Sequence, residues 1–147
     1  MRLSTLVLGL CVAASAALPA LAQNESVIKE RQQVMKNNAK AARTASEIIK
    51  GSQPFDASVA AGVFQTLNED AKKFATLFPE DSKTGAKTEA APAIWEKPDA
   101  FKAANDKFIA DTHAAIDAKP ADLDSFKTAF TKVAANCQGC HQQFRQR

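Results

Sequence analysis

The chain has 147 residues, 24% of them charged and 46% hydrophobic, with a formal net charge of +3 at pH 7. That composition suits one soluble domain. Its lysines are interspersed with Asp and Glu as on an ordinary solvated surface, which argues against a nucleic-acid partner.

The N-terminus reads as a secretory signal. Arg2 is the basic n-region, Leu6 to Ala17 is a weakly apolar run, and Ala20-Leu21-Ala22 forms an A-x-A cleavage site. Residues 1–22 are therefore expected to be cleaved, leaving a mature domain of residues 23–147. The run is too short and too rich in Ala and Ser for a membrane anchor, and no later stretch spans a bilayer, so no stable membrane insertion is expected. Cys11 follows Leu10 rather than a small residue, which does not make a lipoprotein signal, and it leaves with the peptide. Removing Arg2 lowers the balance to +2. A chain of this size buries roughly two-thirds of its unfolded surface, enough for a single core.

Four helices follow. The first is expected from about Asn24 to Lys50. Val27, Val34, Ala41 and Ile48 recur at the heptad interval, with Ile28, Met35, Ala42 and Ile49 in a row beside them. Gly51 and Pro54 end it. The second opens at Asp56 as N-cap and ends before Pro79, burying Ala60, Val63, Phe64, Leu67, Ala71, Phe74 and Phe78. Residues 79–97 form a long loop, the kind that is usually functional. Its apolar end, Pro92-Ala93-Ile94-Trp95, is expected to fold back onto the core or onto the edge of a bound group. The third helix opens at Pro98-Asp99 and stops before Pro120. The fourth begins near Asp122 and sets Leu123, Phe126, Phe130, Val133, Cys137, Cys140 and Phe144 on one face. No strand alternation appears, so the expected fold is all-α, an antiparallel up-down-up-down four-helix bundle.

Chemistry concentrates at Cys137-Gln138-Gly139-Cys140-His141, the C-x-x-C-H attachment signature of a c-type haem. Two thiols three apart share a helical face, where each can form a thioether to a porphyrin vinyl group. The following His falls under the iron, where neutral imidazole is the usual proximal ligand. A thioredoxin-type pair would sit beside a βαβ pattern, which is missing. Half a zinc site would find only Cys11 and His113 elsewhere in the chain. A disulfide across the motif is chemically open in an oxidising compartment. One covalent haem c per chain is the expectation, and its two propionates would bring the net charge near zero.

These features together resemble the cytochrome c′ family. The resemblance rests on Arg31-Gln32, Lys50-Gly51-x-x-Pro54-Phe55-Asp56, Pro92-x-Ile94-Trp95 and Cys137-x-x-Cys140-His141-x-x-Phe144-Arg145, and it spans the mature chain. It implies a bundle holding haem c between its helices, with His141 as proximal iron ligand. The segment Val34-Met35-Lys36-Asn37-Asn38 looks like the low-spin cytochrome c-556 branch, in which a Met from the first helix is the distal iron ligand. That position falls on Met35, one turn after Arg31. A lone Met on an amphipathic helix otherwise reads as core filler. The resemblance further implies that Arg31, and less directly Gln32, meets a haem propionate, that Arg145 lies near the proximal side, and that Glu89 lies at a haem edge. His113 reads as a solvated or capping residue on the third helix, and Trp95 as packing rather than an electron relay.

The functional expectation is a non-enzymatic periplasmic electron carrier with His/Met-ligated low-spin haem, passing electrons to unidentified periplasmic redox proteins as a monomer or homodimer. The alternative is a high-spin cytochrome c′ that binds nitric oxide or carbon monoxide at an open or displaceable sixth position. A peroxidase-like haem would need a distal His beside an Arg, which the sequence does not offer.

Overall fold

A computed structural model describes residues 18–146. Most of the expected signal, residues 1–17, lies outside the described residues, and the expected junction after Ala22 falls in the first turns of a helix. The elements are α1 (Leu18–Ile49), α2 (Ala57–Phe74), a 3₁₀ turn (Glu80–Ser82), a short α3 (Ala93–Glu96), α4 (Pro98–Asp117) and α5 (Leu123–Phe144). The four long helices form an antiparallel up-down-up-down bundle, with no strand among the described residues beyond an isolated bridge of Ala90 with Arg145. Among the described residues no helix is long and apolar enough to cross a membrane.

Local chemistry sets the helix ends. At the end of α1, Gly51 takes a positive φ of 76°, its N–H donates to the Ile48 carbonyl, and Ser52 N–H donates to Glu47. This satisfies carbonyls that the last turn would otherwise leave bare. The Asp56 side chain caps α2 by accepting from the N–H groups of Ser58 and Val59. Asp122 and Ser125 form a reciprocal capping box at the start of α5. Pro98 sits in the first turn of α4, where its missing N–H costs nothing.

The apolar stripes meet in two clusters. Ala45, Ile48, Ala60, Phe64, Leu67, Phe126 and Val133 fill the end of the bundle that carries the two short connections. Ile94, Phe101 and Phe144 form a smaller cluster at the other end, under the long loop, with Phe78 and Trp95 packed against it. Helix α1 packs along α2, α2 along α4, and α4 along α5, whereas α1 and α5 touch sparingly. That seam between the first and last helices is where the site lies.

Two sequence expectations need adjusting. Helix α2 stops at Phe74, so Phe78 reaches the core from the connection rather than from the helix. Leu123, expected on the buried face of α5, is 38% exposed because it occupies the first helical turn, beyond the reach of the neighbouring helices. The loop also has more structure than expected. Trp95 packs edge-on to Phe78 and donates its indole N–H to the Phe78 carbonyl at 3.1 Å, as a packing residue does.

Candidate haem site

Cys137, Cys140 and His141 occupy the last two turns of α5. Cys140 is half-buried and Cys137 exposed, and both are free thiols. Burial raises both thiol pKa values, with the neighbouring Cys137 adding to the effect at Cys140. Both therefore stay protonated at neutral pH, unlike the activated thiolate of a thioredoxin-type pair. Burial chiefly, and Arg145 next, lower the His141 pKa, while Glu89 opposes them. The imidazole is thus neutral at pH 7 and keeps a lone pair for a metal.

These side chains open onto a cavity of about 670 Å³, well inside the range of roughly 300–1,000 Å³ typical of cofactor sites. Across the seam, α1 contributes Met35, Asn38, Ala39 and Ala42 to the same cavity. Phe74, Phe101 and Phe108 from α2 and α4 make its back wall apolar. Met35, 35 residues into the sequence, and His141 near its end thus share one cavity with the two thiols. His113 stays outside it, exposed on α4 with Nε2 3.5 Å from Asp117 Oδ2. Among the described residues, no three His, Cys, Asp or Glu side chains gather to hold a metal ion, so the zinc reading finds no second half.

The loop closes the rim. Arg31 is 4% exposed, and its terminal nitrogens are engaged. Nη1 donates to the Leu77 carbonyl at 3.1 Å and to Ser82 Oγ at 2.8 Å, and Nη2 to the Ser82 carbonyl at 2.8 Å and Thr88 Oγ1 at 3.2 Å. The guanidinium carbon also lies 4.7 Å from the centre of the Phe78 ring. Gln32 Nε2 donates to the Ala86 carbonyl at 3.0 Å. That bond holds a turn in which Ala86 and Lys87 both take positive φ, 43° and 53°, a conformation that non-glycine residues adopt only when their surroundings impose it. Beyond the turn, Glu89 Oε2 accepts from Arg145 Nε at 2.7 Å and Nη2 at 2.6 Å. Backbone bonds from Ala91 N–H to Phe144 and from Gln146 N–H to Glu89 bind the loop to the tail of α5. Arg31, Gln32, Glu89 and Arg145, expected at the propionates, a haem edge or the proximal side, all line the cavity, and all four spend hydrogen bonds on holding its rim.

The residues present fit haem c. Two thiols, a neutral imidazole and a thioether line one cavity whose walls include several phenylalanine rings. The profile of the family described as Cytochrome C′ matches residues 26–145. The chain belongs to the cytochrome c′ family. This cytochrome c′ relative accordingly takes covalently attached haem c as its cofactor, and Cys137 and Cys140 are present for the attachment. It is 36% identical to cytochrome c-556 of Agrobacterium fabrum over 118 residues, 80% of each chain. It is also 36% identical to cytochrome c′ of Rhodopseudomonas palustris over 129 residues, 86% of this chain and 85% of that one. The solved structure of the Rhodopseudomonas palustris cytochrome c′ superposes with a TM-score of 0.78 at 35% identity, covering 82% of this chain and 96% of that one. The two names, c-556 and c′, stand at equal identity.

Asn38, Phe101, Phe108 and Thr88 escaped the sequence reading as site residues. Only Asn38 carried a signal, its position one turn beyond Met35 on the same helix face.

Proposed function

We propose that this chain is a periplasmic electron carrier with one haem c, joined by thioethers to Cys137 and Cys140 and ligated by His141 and Met35. The observation that supports it is the shared cavity, in which the α1 thioether and the α5 imidazole accompany both attachment thiols. Bound haem supplies the iron that gains and loses the electron; the chain supplies position and surroundings. His141 presents a neutral nitrogen, and Met35 a soft neutral sulfur that favours the reduced metal. Two such ligands hold the same coordination in both oxidation states, so little moves on electron arrival. Phe74, Phe101 and Phe108 keep water from the back of the site. Arg31, Gln32, Glu89 and Arg145 hold the rim, where the propionate edge of the haem would meet them. The partners are other periplasmic redox proteins, the chain works as a monomer or homodimer, and it catalyses no reaction of its own.

The second reading is a high-spin protein that binds nitric oxide or carbon monoxide at a sixth position which Met35 leaves open. It is favoured by the c′ relative, as similar to this chain as the c-556 relative. Optical spectra of the oxidised haem protein separate the two. The electron-carrier reading expects a low-spin spectrum with a weak far-red sulfur-to-iron band that Met35→Ala abolishes. A high-spin spectrum unchanged by the substitution would sink it.

A further inference from the structure

Four carboxamides line the cavity: Gln32, Asn38, Asn105 and Asn136. Three have committed their nitrogens. Gln32 donates to Ala86, Asn105 Nδ2 to the Ala71 carbonyl at 3.1 Å, and Asn136 Nδ2 to Asp111 Oδ2 at 2.7 Å. Asn38 has no side-chain hydrogen bond to any described residue, and its Oδ1 is sealed in the protein without a partner. The opposite amide orientation would seal two N–H donors there in place of one acceptor, at greater cost. The donor end, Nδ2, is therefore what Asn38 offers to an occupant of the cavity.

Its place on α1 gives that donor a use. Asn38 stands one turn beyond Met35 on the same helix face. Ala39 and Ala42, which continue that wall, carry only methyl groups. A Met side chain has three flexible torsions and no branch, so it has both room and freedom to swing aside.

We propose that Asn38 donates a hydrogen bond to a small anionic ligand that takes the sixth iron position when Met35 leaves it. The inference rests on the reading of Met35 as distal ligand. In the exchange the sulfur–iron bond breaks and a lone pair of the anion forms the new bond. No oxidation state changes, and any proton on the conjugate acid passes to water. An N–H bond to an anion is roughly twice as strong as one between neutral groups, whereas the outer atom of carbon monoxide is a poor acceptor.

The test uses the haem-loaded chain, with cyanide for the ferric form and carbon monoxide for the ferrous form. Met35→Ala opens the sixth position, and Asn38→Leu and Asn38→Ala are added to it. Cyanide affinity should fall about tenfold on losing one charge-assisted bond, while carbon monoxide affinity stays within about twofold. Unchanged cyanide affinity, or an equal loss for both ligands in both variants, overturns the proposal. Failure of the underlying reading shows separately: Met35→Ala would leave the oxidised spectrum unaltered, and the unsubstituted protein would bind cyanide as tightly as the variant. Asn38→Leu in the unsubstituted background then decides the role of Asn38 by the same two affinities.

Discussion

Replacing Arg31 with Met keeps an unbranched stem in place and removes only the guanidinium. Four hydrogen bonds go with it, and their acceptors are not equivalent. The Ser82 and Thr88 hydroxyls have other uses, since Ser82 Oγ already donates to the Pro79 carbonyl at 2.8 Å and Thr88 Oγ1 accepts from Ala90 N–H. The Leu77 and Ser82 carbonyls lose their donor while buried, at about 1–3 kcal/mol each. The lost contact with Phe78 adds on the order of 1 kcal/mol. Against this, the folded state no longer desolvates a cation, a strain that shows in the lowered Arg31 pKa and that comes from burial. The net expectation is a loss of about 2–4 kcal/mol, or roughly 10 °C in melting temperature for a domain of this size. Arg31→Lys should recover less than half, because one ammonium cannot span both carbonyls as a fork does. Denaturant titration of the haem-loaded protein measures the loss. Amide exchange locates it, with faster exchange at Ser82 and Thr88, whose N–H groups bond within the loop. A variant within about 0.5 kcal/mol of the parent, with loop exchange unaltered, would refute the view that Arg31 pins the loop. A shifted reduction potential with an unmoved loop would instead assign it to the haem propionate alone.

Two further substitutions probe the body of the bundle. Phe126 is fully buried, 5.4 Å from Phe64 between ring centres and stacked on Phe130 at 6.1 Å. Phe126→Ala should cost about 3–5 kcal/mol in a urea titration yet leave the haem spectrum intact, since Phe126 does not line the cavity; an altered spectrum would show that Phe108, which packs against its cluster and lines the cavity, relays the change. Burial chiefly raises the Asp70 pKa, against an opposing hydrogen bond from Asn37. The folded protein therefore holds that proton more tightly than the unfolded chain does. The contribution to stability is present below the unfolded value and lost as pH rises through the folded one. Asp70→Asn should then melt higher than the parent at pH 7, with the gap closing near about pH 4; a lower melting temperature at pH 7 would mean that the Asn37 bond outweighs burial.

What the sequence made legible was whatever repeats or caps locally. The α1 heptad positions Val34, Ala41 and Ile48 are buried, and Asp56 and Asp122 cap the helices they were expected to open. Helix α1 begins at Leu18, ahead of the expected Asn24, with Pro19 in its first turn, where the missing N–H is tolerated. The C-x-x-C-H spacing identified the attachment site by chemistry alone, and the first-helix resemblance drew attention to Met35. The loop resisted reading for a physical reason. Arg31 bonds to residues 46 to 57 positions away, and such partners leave no period in the sequence. Gly85, at φ 104°, announces a turn, but the positive φ continues through Ala86 and Lys87, whose residue types give no sign of it, while Gln32 bonds to that turn from another element. Asn38 offered only its place one turn beyond Met35, because a lone Asn on a helix otherwise reads as solvated until its neighbours are known.

The bridge between Ala90 and Arg145 has a mechanical consequence. With the bonds from Ala91 N–H to Phe144 and from Gln146 N–H to Glu89, it clamps the long loop to the end of α5. The segment that carries Glu89 and the helix that carries both thiols are therefore one lever. A tug on the loop is transmitted to the thiol-bearing helix, and a shift of that helix drags the rim with it.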